Sequence, residues 1–141
     1  MSDVRHWFHL LLICLPVLLS ACPLGSGPKT FPVNGKVTFH GTPLEAGVVT
    51  FHPLGAGNPS SASIDGGNFR LTGDAGLPPG QYRVEIISNV KTGKKIPGIG
   101  PDGQADEIRQ VIPDRYNRSS ELSIEIPASD GHGFQFDLQE H

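Results

Sequence analysis

Leu77-Pro78-Pro79-Gly80-Gln81-Tyr82-Arg83-Val84-Glu85-Ile86-Ile87-Ser88-Asn89 is the stretch on which the fold turns. From Gln81 onward Tyr82, Val84 and Ile86 face one way, with Arg83, Glu85 and Ile87 opposite. That period of two is the pattern of a β-strand with one buried face. Immediately upstream the prolines fix φ and Gly80 admits backbone that other residues avoid, so Asp74 to Gly80 predicts a rigid turn.

The same period recurs on both sides. Val33, Gly35, Val37 and Phe39 alternate with Asn34, Lys36, Thr38 and His40, and Gly41-Thr42-Pro43 turns the chain. Val49 and Phe51 alternate with Val48, Thr50 and His52 until Pro53 ends the strand; if Val33–His40 and Val48–Pro53 pair as a simple hairpin, His40 and His52 lie roughly 15 Å apart, too far to share a metal. Ala62 and Ile64 join Phe69 and Leu71 through Asp65-Gly66-Gly67-Asn68, whose residues tolerate the positive φ of a tight hairpin. Downstream, Leu122, Ile124 and Ile126 and then Phe134, Phe136 and Leu138 repeat the pattern, with Glu107 to Ile112 as a further strand candidate. After residue 21 no segment shows an apolar stripe at helical spacing. With 18 Gly and 13 Pro punctuating short strands, the sequence predicts an all-β, antiparallel Greek-key sandwich of about seven strands.

Some of these residues resemble a known family. Asn68-Phe69-Arg70-Leu71, followed by Gly76-Leu77-Pro78-Pro79-Gly80-Gln81-Tyr82-Arg83-Val84, resembles the carboxypeptidase regulatory-like domain, which implies a transthyretin-like sandwich. Val33-Asn34-Gly35-Lys36-Val37-Thr38-Phe39 with Gly41-Thr42-Pro43-Leu44, and Ile112-Pro113-Asp114-Arg115-Tyr116, are similar to small planctomycete-type lipoproteins. The fold implied by this resemblance hosts one enzyme, hydroxyisourate hydrolase, which uses a C-terminal Tyr-Arg-Gly-Ser; this chain ends Phe136-Asp137-Leu138-Gln139-Glu140-His141.

The N-terminus reads as an export signal. Arg5 and His6 precede an apolar run from Trp7 to Leu19, roughly 13 residues, too short for the ~20 that span a bilayer. Leu19-Ser20-Ala21-Cys22 resembles the bacterial lipobox, which implies cleavage before Cys22 and its acylation. The expected organisation is therefore a signal peptide over 1–21, a flexible tether over 22–31 beginning at lipidated Cys22, and a sandwich domain over 32–141. About eight flexible residues span roughly 15 Å, so the domain is expected to stay near a cell membrane or outer membrane, on the periplasmic or extracellular side. Cys14 leaves with the signal and acylation consumes Cys22, so no disulfide framework remains.

Chemistry-bearing motifs are sparse. The formal net charge of -3 argues against nucleic acid as a partner. No Gly-x-Ser-x-Gly elbow occurs, and His40, His52, His132 and His141 are read as surface residues, so no catalytic residue, metal or cofactor is expected. The stretch from Lys91 to Asp106 is read as a long loop without internal structure, and Lys91, Lys94, Lys95 and Arg115 as its candidate basic binding patch. Sugar-binding sandwiches commonly use exposed aromatic platforms, for which Phe31 and Tyr116 remain once the other aromatics are assigned to core faces. The reading that results is a lipid-anchored, non-enzymatic envelope module contacting an envelope protein or glycan. A carbohydrate- or peptidoglycan-binding module and a transthyretin-like hydrolase are the alternatives.

Overall fold

Alternation becomes structure in ten strands. The computed structural model describes residues 27–129 and 132–140, so the signal peptide, Cys22 and His141 lie outside the described residues. In chain order the strands are β1 (Val33–Phe39), β2 (Thr42–Pro43), β3 (Ala46–Pro53), β4 (Ser60–Asp65), β5 (Asn68–Leu71), β6 (Gly80–Ile87), β7 (Asn89–Pro97), β8 (Gln104–Gln110), β9 (Ser123–Ile126) and β10 (His132–Leu138). Among the described residues the only helical pieces are two single 3-10 turns, Gly73–Ala75 and Asp114–Tyr116, and no helix is long and apolar enough to cross a membrane. The fold is all-β and sandwich-like.

The main sheet runs β10-β1-β5-β4-β3-β6-β9, with β2 beside β1. Its hydrogen bonding is continuous but uneven: β4 and β5 share a single registered pair, Asp65 with Asn68, on either side of the Gly66-Gly67 turn. Both glycines have positive φ, 52° and 79°, as the hairpin reading of this stretch required. At that narrow point the sheet doubles over. One half (β10, β1, β5) faces the other (β4, β3, β6, β9), and the inward residues of both meet in one core.

That core contains Val33, Val37, Phe69, Leu71, Phe136 and Leu138 from the first half, and Val49, Phe51, Ile64, Tyr82, Val84, Ile86 and Ile126 from the second. A row of rings crosses the seam: Phe51 lies 5.8 Å from Phe69, and Phe69 6.1 Å from Phe136, within the range of favourable aromatic pairs. Phe69 fits because its partner across the strand pair is Gly35; a Cβ there would sit 2.7 Å from the ring. Tyr82 closes the prolyl turn, donating its hydroxyl to the Pro78 carbonyl at 2.8 Å, and burial raises its pKa.

Two expectations are corrected, and one conditional pairing is excluded. β1 does not pair with β3: after β2 the chain crosses to the other half-sheet, anchored by buried Leu44, and β3 pairs with β4 and β6. β10 lies parallel to β1 at one end of the strand order, with β9 at the other. Phe31, read as an aromatic outside the core, is 2% exposed and bridges Leu77 through backbone hydrogen bonds in both directions, so core packing begins inside the stretch read as tether.

Gly35→Ala is expected to cost about 1–3 kcal/mol through overpacking, and Phe69→Ala about 3–5 kcal/mol through the cavity it leaves. Tyr82→Phe, which strands the Pro78 carbonyl, is expected to cost about 1 kcal/mol. Urea midpoints measure all three, and a Gly35→Ala midpoint equal to wild type would contradict the seam.

Candidate functional site

The stretch from Lys91 to Asp106, expected as an unstructured loop, is a β-hairpin. β7 and β8 form their own two-stranded sheet, with Asn89, Val90 and Lys91 opposite Gln110, Arg109 and Ile108, and Lys95, Ile96 and Pro97 opposite Asp106, Ala105 and Gln104. A register shift between Lys91 and Lys95 brings both lysines to one acid: Lys91 Nζ lies 2.7 Å and Lys95 Nζ 2.8 Å from the Asp106 carboxylate. The Thr92 hydroxyl donates to Glu107 across the same ladder. None of the residues from Val90 to Arg109 is buried, and Val90, Ile96, Ile99 and Ile108 stand exposed.

Two side chains fix the hairpin base. Gln110 Oε1 accepts from the backbone N–H of Ser88 at 2.9 Å and of Ile112 at 3.1 Å, and Ser88 Oγ donates to the Ala46 carbonyl at 2.6 Å. Beside the base, Phe39, Leu44, Ala46, Val90 and Val111 line a cleft of about 280 Å³. This base sits at the pole of the sandwich where β6 ends and β3 begins, Ile87 opposite Val48. The N-terminal segment enters at the other pole, where Phe31 bridges Leu77 three residues before β6 starts. Eight residues of strand separate the two, roughly 25 Å at ~3.3 Å each.

The expected basic patch is only partly assembled. Lys91 and Lys95 come together but share Asp106, and Lys94 lies between them in the irregular part of β7. Arg115 belongs elsewhere. Its guanidinium lies over the Tyr116 ring at 4.8 Å and donates to the Gln139 carbonyl at 2.8 Å, while Gln139 N–H donates to the Tyr116 hydroxyl at 3.3 Å. Arg115 thus ties the Asp114–Tyr116 turn to the end of β10. With Phe31 buried and Tyr116 covered by Arg115, neither residue offers an open aromatic platform.

The histidines occupy different half-sheets: His40 Nε2 is 3.6 Å from Glu140, and His52 Nε2 is 3.3 Å from Glu85. The side chain of His132 lies outside the described residues. Among the described residues no three His, Cys, Asp or Glu side chains converge as metal ligands.

Lys36 and Arg70, which sequence reading did not single out as a site, form no ion pair among the described residues. Both project from the outer face of the β10-β1-β5 half-sheet beside Asn34, Asn68 and Gln135, lining a groove of about 470 Å³. Alternation had already placed Asn34 and Lys36 outward. What it lacked was the β1–β5 register that sets them against Arg70 and Asn68. Comparison with known protein families, curated proteins and solved structures finds no match for this chain.

The electrostatics of the hairpin define a pH range. Hydrogen bonds from Lys91 and Lys95 lower the Asp106 pKa to about 2, and Asp106 in turn raises that of Lys91. A lowered carboxylate pKa stabilises fully above its ordinary value and fades as pH falls through the folded one. A raised lysine pKa stabilises fully below its ordinary value and fades above it. The clamp therefore holds from roughly pH 4 to pH 10. Amide NMR is expected to show the Lys91, Lys95 and Ile108 resonances steady from about pH 7 to 4 and moving between about pH 4 and 2. In Asp106→Asn they are already displaced at neutral pH. A transition centred at or above 3.8, the ordinary carboxylate value, would contradict the clamp.

Proposed function

We propose that the protein is a non-enzymatic interaction module of the bacterial cell envelope, held at a membrane surface by acylated Cys22 and presenting the β7–β8 hairpin away from it. One observation carries the reading. The hairpin leaves the sandwich at the pole opposite the entry of the N-terminal segment, with aliphatic side chains exposed and its backbone ordered by the Lys91–Asp106–Lys95 clamp. An element in that position meets whatever lies beyond the membrane surface, and its lysines are directed away from the headgroups.

The carboxylates and the lysine whose pKa departs from its ordinary value are held in their charged forms, as suits a surface that makes ionic contacts. Asp106 and Asp137 are lowered and Lys91 is raised, each by hydrogen bonds that favour its charged form. The resemblance of the strand and turn motifs to small envelope lipoproteins agrees with this reading.

The anchor is tested by intact-mass analysis of the full-length chain expressed in a bacterium. The expected product begins at acylated Cys22 and fractionates with membrane, because stable anchoring takes two or more acyl chains. Cys22→Ser is expected to be released or to retain its signal peptide, and a mature chain with unmodified Cys22 would overturn the anchor. Presentation of the hairpin is tested by replacing residues 90–109 with a short Gly-Asn-Gly connector. Ser88 and Val111 are already joined by a 3.0 Å backbone hydrogen bond, so the ends meet and stability should change by no more than about 1 kcal/mol. Unfolding of that variant would make the hairpin part of the core.

A further inference from the structure

The outer face of the first half-sheet carries a second site, independent of the hairpin. Strand register arranges it as a grid. Gly133, Asn34 and Arg70 lie side by side across β10, β1 and β5, and Gln135, Lys36 and Asn68 form the next row. Residues directly opposite on paired strands stand ~5 Å apart and diagonal ones ~7–8 Å, so Lys36 and Arg70 flank one spot from two directions. Gly133 leaves that row without a side chain on its β10 side, where a Cβ would touch only Asn34 Oδ1 at 3.6 Å. The gap is part of the groove of about 470 Å³, a size within the range of small-ligand sites.

We infer that this groove binds a carboxylated sugar, a uronic-acid unit of an acidic glycan. None of the groove-lining residues is acidic, although the chain as a whole carries a net charge of -3. Among the described residues, neither Lys36 nor Arg70 forms an ion pair. A guanidinium matches a carboxylate with two parallel hydrogen bonds, and the lysine adds a second positive charge from the diagonal position.

The other polar side chains of the groove are carboxamides, which both donate and accept as sugar hydroxyls do. Asn68 Nδ2 is used on the Gly66 carbonyl at 3.0 Å and Gln135 Nε2 on Asp137 at 3.1 Å, which leaves their oxygens as acceptors for ligand hydroxyls. Asn34 keeps both functions. The acid in the adjoining row, Asp137, accepts from Thr38 at 2.5 Å and from Gln135, so its charge is engaged on the side of the grid away from Arg70. Recognition here needs no aromatic platform.

The test is calorimetric titration of the intact chain, in nonionic detergent, with a short oligogalacturonate at low salt. Saturable binding is expected, at least about tenfold tighter than for a neutral gluco-oligosaccharide of equal length and weakening as salt is added. Arg70→Gln and Lys36→Gln are each expected to weaken it about tenfold with unchanged melting temperature. Gly133→Leu fills the groove and is expected to remove binding; should that variant unfold, the two charge-removing variants carry the test alone. Absence of saturable binding, or equal binding by wild type and both charge variants, overturns the site. Equally tight binding of an oligoglutamate, which has the carboxylates but no hydroxyls, overturns the assignment to a sugar.

Discussion

The contact between the Phe69 ring and the bare backbone of Gly35 is the constraint on which the rest of this structure depends. Strand pairing joins the two half-sheets through a single registered pair at the Gly66-Gly67 turn, so the ladder alone cannot keep one half closed over the other. Side-chain packing has to do it, and the row Phe51–Phe69–Phe136 is the part of the core that crosses the seam at the level of Gly35. With the inner faces committed to each other, all binding chemistry is left to the outer faces and the poles. The Lys36–Arg70 groove lies on the face directly behind that seam, on the outward residues of the same strands whose inward residues are Val33, Val37, Phe69 and Leu71.

The hairpin obeys a different physics. β7 and β8 bury nothing, so their order comes from the ladder, the shared acid Asp106 and the Gln110 side chain that knits the base. Surface ion pairs of this kind are individually weak and salt-sensitive. Their effect is to fix geometry: two lysines that would otherwise sample solvent are held along one face of a ribbon with a free edge on each side. The three lysines, the register shift and Pro97 on β7 are also features that discourage open-ended strand pairing.

How much of this the sequence discloses follows from which residues have a buried side. β1, β3, β6, β9 and β10 each put one face into the core, so their apolar residues recur every second position and can be read directly. The Asp65-Gly66-Gly67-Asn68 turn is legible for the same reason, since its chemistry is local. β7 is not, because with both faces in solvent Asn89-Val90-Lys91-Thr92-Gly93-Lys94-Lys95-Ile96-Pro97 has no inside to alternate toward. The parallel pairing of β10 with β1 and the burial of Phe31 depend on contacts between distant segments, which no local window contains. The groove was hidden in the same way: Asn34 and Lys36 read as ordinary outward residues until register sets them beside Arg70, 34 positions along from Lys36.

Native-state hydrogen exchange tests the division between seam and hairpin most directly. If the Phe51–Phe69 packing that Gly35 permits makes the two half-sheets one cooperative unit, the amides of Val37 in the first half and of Val49 and Val84 in the second exchange only through global unfolding, with one common free energy equal to that from urea denaturation. The amides of Lys91 and Ile108 open at a lower free energy that falls as salt is added. Separate exchange free energies for the two half-sheets, or hairpin amides as protected as Val84, would contradict the account.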